Sequence, residues 1–233
     1  MKERPTEIVF MPGFDGVAEL RDEFVRELGS IAPARSFGYP NTPFETLNGY
    51  ARYAASQVSP DSRPVLVAES FSGLVAARWA AQDPHVAGIV FCGAFARSPM
   101  AWAALGASWP GMAQFFGANY MNPIAYLSGD AARRRWSQAL STAIASLKRE
   151  VVAERLRIIS VEDVTADLQA LRIPMLIAQF QDDMLIGAEA HAVLATACAD
   201  AAIVTVPGPH FAIETRPRET AAALRGAIEE LFL

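Results

Sequence analysis

The residues best suited to chemistry in this chain lie in four short segments, of which the most informative is Val65-Leu66-Val67-Ala68-Glu69-Ser70-Phe71-Ser72-Gly73-Leu74. An apolar, strand-like run ends, one polar residue follows, and a helix-like run begins just after Ser70. A serine on so tight a strand-to-helix turn is pushed out at the end of a sheet. The residues two before and two after it approach each other and must be small. Ala68 and Ser72 meet that need, whereas in the frame of Ser72 the second small position would be Leu74. Ser70 is therefore the predicted nucleophile. It also stands at a helix N-terminus, whose unpaired N–H groups favour developing negative charge.

A serine hydroxyl becomes a useful nucleophile only beside a general base. The chain has three histidines. His85 precedes a strand-like run and so falls at the wrong end of a sheet. His191 falls inside a helical pattern and reads as a surface or satisfied histidine. His210 follows the apolar run 203–206 and the loop Pro207-Gly208-Pro209, on the same side as Ser70. A carboxylate to orient His210 is expected after the run 175–180, in Gln181-Asp182-Asp183, where Asp182 and Asp183 compete. The fourth segment, Phe10-Met11-Pro12-Gly13-Phe14-Asp15-Gly16, ends the first apolar run. The N–H groups of Phe14 and of Phe71, the residue after the nucleophile, form the natural pair of donors for a tetrahedral oxyanion.

The elements that must position these residues follow from patterning. Strands are expected at 8–11, 35–38, 65–68, 88–92, 175–180 and 203–206, mostly as continuous apolar runs, the signature of a parallel sheet covered on both faces. Helices are expected at 17–28, 44–58, 72–82, 188–197 and 220–232. Strand–helix alternation implies right-handed crossovers and an open, doubly wound α/β sheet, with ligands at the carboxyl ends of the strands. Residues 97–162 interrupt the alternation. They contain Trp102, Trp109, Met112, Phe115, Phe116, Tyr120, Met121, Tyr126 and Trp136, and read as a small helical cap inserted into a core of residues 1–96 and 163–233. Most of these aromatics would hold the cap together, and the rest would line an apolar acyl pocket.

Composition narrows the function further. With 233 residues, 52% of them hydrophobic, and a net charge of −5, the chain reads as one large α/β domain and not a disordered one. It lacks the clustered basic face of a nucleic-acid binder, and Arg133-Arg134-Arg135 reads as a solvated helix face. Two cysteines make no disulfide framework, and Cys92, in an apolar run, reads as buried and inert. A charged N-terminus without a signal-like apolar stretch, and no run long enough to span a bilayer, point to a cytoplasmic protein. No metal-ligand spacing and no phosphate loop is present, so no cofactor is expected.

Taken together, Pro12 to Gly16, Glu69 to Gly73 and Gly208 to Phe211 resemble the α/β-hydrolase superfamily, in its branch of small esterase- and thioesterase-like proteins. There the first loop is Pro-Gly-x-Asp-Gly, the elbow Glu-Ser-Phe-Ser-Gly and the end Gly-Pro-His-Phe. Ile173-Pro174-Met175-Leu176 running into Asp182-Asp183-Met184-Leu185 is similar to that branch's strand and acid loop, and the resemblance puts the acid on Asp183. Pro12 stands where many relatives carry His, and both flanking elbow glycines are replaced. The superfamily's two leading antiparallel strands have no counterpart, which leaves six parallel strands. The resemblance implies a triad of Ser70, Asp183 and His210 acting on a carboxylic ester or thioester of a small-molecule acyl substrate. Acyl transfer through the same acyl-enzyme, and a non-catalytic ligand-binding protein of the same fold, are the alternatives.

Overall fold

A computed structural model of the chain describes residues 5–99, 108–109, 111 and 131–233. Six strands form one sheet in the order β2-β1-β3-β4-β5-β6, and every pair is parallel. They are β1 Glu7–Met11, β2 Ala34–Ser36, β3 Pro64–Glu69, β4 Gly88–Cys92, β5 Met175–Phe180 and β6 Ala202–Val206. β3 and β4 are buried along their whole length, as their unbroken apolar runs require. β6, at the edge, alternates instead.

Helices cover both faces, and strand side chains divide between them by parity. Val9, Met11, Leu66, Ala68, Ile89, Phe91 and Ile177 face one apolar cluster, with the helices Leu47–Ser56, Ser72–Gln82 and Ala188–Ala197. Ile8, Phe10, Val65, Val67, Val90, Cys92 and Leu176 face the other, with Asp22–Leu28 and Pro217–Phe232. Cys92 is fully buried, and burial pushes its thiol pKa well up. Among the described residues no helix is long and apolar enough to cross a membrane.

Boundaries shift where side chains compete with the backbone pattern. The expected helix 17–28 is a 3-10 turn, Ala18–Arg21, followed by Asp22–Leu28. Arg21 leaves helical geometry at φ −117°, and its side chain turns into the interior. The expected helix 44–58 starts at Leu47, because Glu45 adopts φ 67° and Thr46 caps the helix by accepting from Gly49 N–H. The last helix starts at Pro217, with proline in its first turn, and a short helix, Ala212–Thr215, precedes it.

Between β4 and β5 the described residues form helices Ala131–Ser146, Arg149–Val161 and Thr165–Ala170. Arg97 and Asp163 pair as an isolated antiparallel bridge, and Val164 N–H donates to Ala96 C=O. Trp136, Leu140 and Ile144 pack on Leu20 and Phe211, and Leu147, Val151, Val152 and Leu156 pack on Phe14. Trp109 is 61% exposed. Trp102, Met112, Phe115, Phe116, Tyr120, Met121 and Tyr126 lie outside the described residues.

Candidate active site

Ser70 follows the last residue of β3 and takes φ 50°, a left-handed conformation that costs a residue with a Cβ about 1–2 kcal/mol. The turn is held from outside: Ser70 N–H donates to Cys92 C=O at the end of β4, 3.0 Å away, and Gly73 N–H closes back on Ser70 C=O. Helix Ser72–Gln82 starts at once. The segment thus forms the tight strand-to-helix turn that its sequence predicts. A side chain at Gly13 would put its Cβ 3.0 Å from Glu69 Oε1 and 3.6 Å from Ser70 Cβ. Only glycine lets the first loop lie so close to the elbow.

His210 and Asp183 meet. His210 Nδ1 and Asp183 Oδ2 are 2.8 Å apart, with side chains 4% and 1% exposed. Asp183 Oδ1 accepts from Leu185 and Ile186 N–H, at 2.9 and 2.8 Å. Burial alone would raise the carboxyl pKa, but the bond to His210, its charge and the two backbone donors outweigh burial and hold it below the ordinary value. Asp182 is exposed. Its N–H donates to Gly208 C=O, which fixes the histidine loop through the backbone alone. Of the two aspartates, Asp183 is the one that touches the imidazole.

β4 separates Ser70 from His210. Gly93, just past its end, has φ 54°, and a Cβ there would come within 3.1 Å of His210 Nδ1. Ser70 is bonded to the preceding residue. Both side chains thus flank the end of one strand, although no hydrogen bond joins Ser70 Oγ to His210 among the described residues. Catalytic hydrogen bonds are often long before substrate binds. The N–H groups of Phe14 and Phe71 donate to no acceptor among the described residues, unlike those of neighbouring Gly16, Gly73 and Leu74.

His85 pairs with Asp83 far from this site. His191 is half-buried, not a satisfied surface group. Its Nε2 has no partner among the described residues, burial lowers its pKa, and it feels the charges of Asp183 and His210.

Several supporting residues carry no motif. Ser72 Oγ donates to Pro12 C=O, at 2.5 Å, and lies 2.7 Å from Tyr39 Oη. With its proton engaged, Ser72 accepts from the tyrosine. It therefore ties the helix to the first loop and is more than a small residue. Burial, against the Ser72 bond and the nearby Arg155 charge, keeps Tyr39 protonated well above its ordinary pKa. Arg155, fully buried on helix Arg149–Val161, donates to Tyr50 Oη and Phe14 C=O and lies over the Tyr39 and Tyr50 rings. Glu154 accepts from Phe44 N–H, Glu45 N–H and Tyr50 Oη. Under the elbow, Arg21 meets Asp15, Glu69 and Glu214. The signal available in sequence was the charge of Glu69 at the end of an otherwise apolar strand. Its partners are distant in sequence and cannot be read from spacing.

The profile of the alpha/beta hydrolase family matches residues 8–223. Among curated proteins no sequence matches. Solved structures with the same fold include a bromoperoxidase from Bacillus anthracis, with TM-score 0.80, 16% identity, and 94% of this chain and 90% of that one covered. An enol-lactonase from Burkholderia xenovorans LB400 superposes with TM-score 0.78 at 17% identity, covering 98% and 91%. The esterase RhEst1 from Rhodococcus sp. ECU1013 does so with TM-score 0.73 at 20% identity, covering 97% and 91%.

Proposed function

This chain belongs to the alpha/beta hydrolase family, and from that premise we propose that it is a serine hydrolase that cleaves a carboxylic ester or thioester through an acyl-enzyme on Ser70. The observation that carries the reading is the buried Asp183–His210 pair, 2.8 Å apart, across one strand end from a serine held at φ 50°.

Asp183 accepts the Nδ1 proton of His210, which leaves the Nε2 lone pair to take the proton of Ser70 Oγ. The serine oxygen attacks the acyl carbonyl. The carbonyl oxygen, now negative, is received by the N–H groups of Phe14 and Phe71. His210 then gives the proton to the leaving alcohol or thiol, and the acyl group stays on Ser70. Water, deprotonated by the same imidazole, releases the acid. The ionised Asp183 stabilises the imidazolium in both halves. A strained serine and a buried carboxylate paired with a histidine are costly or unneeded in a pure binding protein, which favours catalysis.

We read the described helices Ala131–Ser146 and Arg149–Val161 as part of a cap inserted into the core. The Arg97–Asp163 bridge and the packing of the 149–161 helix on Phe14 support that division. An esterase and an enol-lactonase, the latter named for an internal ester, are among the structures of like fold. They support ester chemistry by analogy of fold.

The test is a panel of p-nitrophenyl esters and acyl thioesters of graded chain length. Native protein should hydrolyse short and medium acyl groups, and Ser70→Ala should lose nearly all turnover. Ser72→Ala, which loses two hydrogen bonds but not the nucleophile, should lose stability by about 1–3 kcal/mol and keep turnover. Equal loss of turnover in two folded variants refutes the assignment.

A further inference from the structure

The guanidinium of Arg21 is 0% exposed, and each of its N–H groups has an acceptor. Nε and Nη2 grip the two oxygens of Glu69, at 2.8 and 2.7 Å. Nη1 and Nη2 grip the two oxygens of Asp15, at 2.8 and 2.9 Å. Nη1 also donates to Val17 C=O, at 3.0 Å. A guanidinium has five N–H donors in a rigid fork, and these bonds use all of them. A third carboxyl, Glu214, comes to 2.8 Å from Nη2, but neither of its oxygens has a hydrogen-bond partner among the described residues. Three buried carboxyls thus share one cation whose donors are already spent.

The places of the three carboxyls give the cluster its meaning. Asp15 follows Phe14 in the first loop. Glu69 precedes Ser70 in the elbow. Glu214 lies on the short helix Ala212–Thr215, just after His210. We propose that Arg21 is a positioning residue for the reaction, holding the first loop and the elbow in register through Asp15 and Glu69. The inference rests on the roles given above to Phe14, Ser70 and His210.

A two-sided grip on two carboxylates fixes both distance and rotation between the loops that carry them, which a single point charge cannot do. That is what an oxyanion site needs, because its two donors come from these same two loops and must converge on one oxygen. Val17 N–H donates to Asp15 Oδ1 at 2.8 Å, so Asp15 is itself fixed. Glu214 is the surplus acid. Burial first, and the charges of Glu69 and Asp15 next, raise its pKa against the pull of Arg21. The two acids that Arg21 grips are the chain neighbours of Phe14 and Ser70.

The experiment compares native protein with Arg21→Lys and Glu69→Gln in steady-state hydrolysis of p-nitrophenyl acetate, with folding checked by circular dichroism. Arg21→Lys keeps the charge but cannot grip two carboxylates. Glu69→Gln keeps the shape and relieves part of the negative excess, so it retains its fold. In both, kcat should fall on the order of 100-fold, as for a displacement of about 1 Å, while KM stays within about twofold. Arg21→Lys and Glu69→Gln proteins that fold and turn over at the native kcat overturn the inference and leave the hydrolase reading intact. Failure of both to fold overturns it too, because the cluster would then determine folding and not the position of the loops. A native protein that hydrolyses no ester removes the reading beneath the inference, and the inference with it.

Discussion

Replacing Asp183 by asparagine tests the hydrogen-bond directions at the centre of the site. Asp183 Oδ1 accepts two backbone N–H groups, from Leu185 and Ile186, and Oδ2 faces His210 Nδ1. In Asp183→Asn the amide oxygen must stay with the two backbone donors, since turning the NH2 group toward them would oppose donor to donor and lose both bonds. The NH2 group is therefore left facing His210. Nδ1 must then accept, which moves the imidazole proton to Nε2 and removes the lone pair that would take the proton of Ser70. Restoring the working tautomer would set two N–H groups against each other in a site whose side chains are 4% and 1% exposed. The carboxylate charge that stabilises the imidazolium is lost as well. Amidation of a triad acid elsewhere lowers kcat by about 10⁴, which corresponds to about 5.4 kcal/mol. With the amide orientation forced by two donors, a loss of that order is expected here. The assay is kcat/KM for p-nitrophenyl acetate at neutral pH, beside Asp182→Asn, whose exposed side chain should matter little. A folded Asp183→Asn protein within about tenfold of native, or an equal loss in Asp182→Asn, would refute the reasoning.

Gly93→Ala should both destabilise and inactivate. Its φ of 54° and the 3.1 Å approach of a Cβ to His210 Nδ1 and the Phe180 ring imply a cost of about 1–3 kcal/mol, read as a lower Tm, with kcat falling as the imidazole is displaced. An unchanged kcat would mean that Gly93 does not set the histidine. The two buried carboxyls should act on stability in opposite directions with pH. Asp183 has a lowered pKa, so its contribution is present above the unfolded value of about 3.9 and is lost as pH falls through the folded one. Glu214 has a raised pKa, so its contribution is present below the unfolded value of about 4.3 and is lost as pH rises through the folded one. The Tm of Glu214→Gln minus that of native protein should therefore grow as pH rises above the unfolded carboxyl value, and a difference independent of pH would show that Glu214 is ionised throughout.

The sheet was legible because parallel strands buried on both faces have no choice but to be apolar, and 65–68, 88–92 and 175–180 read almost to the residue. The candidate site was legible because doubly wound sheets bind ligands at strand ends: Ser70, Asp183, His210, Phe14 and Phe71 all follow apolar runs. Boundaries failed where a side chain overrode local pattern, as when Arg21 turned inward and broke the first helix, or when Glu154 took the amides of Phe44 and Glu45 and delayed the second. Arg21, Arg155 and the hydroxyl of Ser72 escaped notice for another reason. Each has at least one partner far away in the chain, and a buried arginine looks in sequence like any solvated one. His191 shows the same limit, since its nearness to Asp183 follows from the loop at 181–187 and from no periodicity.

The most direct test of the account is the reaction of native protein with a fluorophosphonate probe, followed by mass spectrometry of the labelled peptide. A serine reacts usefully only beside a base, so the account predicts one adduct, on Ser70, that forms far more slowly in His210→Ala and at close to the native rate in His85→Ala. A folded protein that acquires no adduct on Ser70 at neutral pH would contradict it.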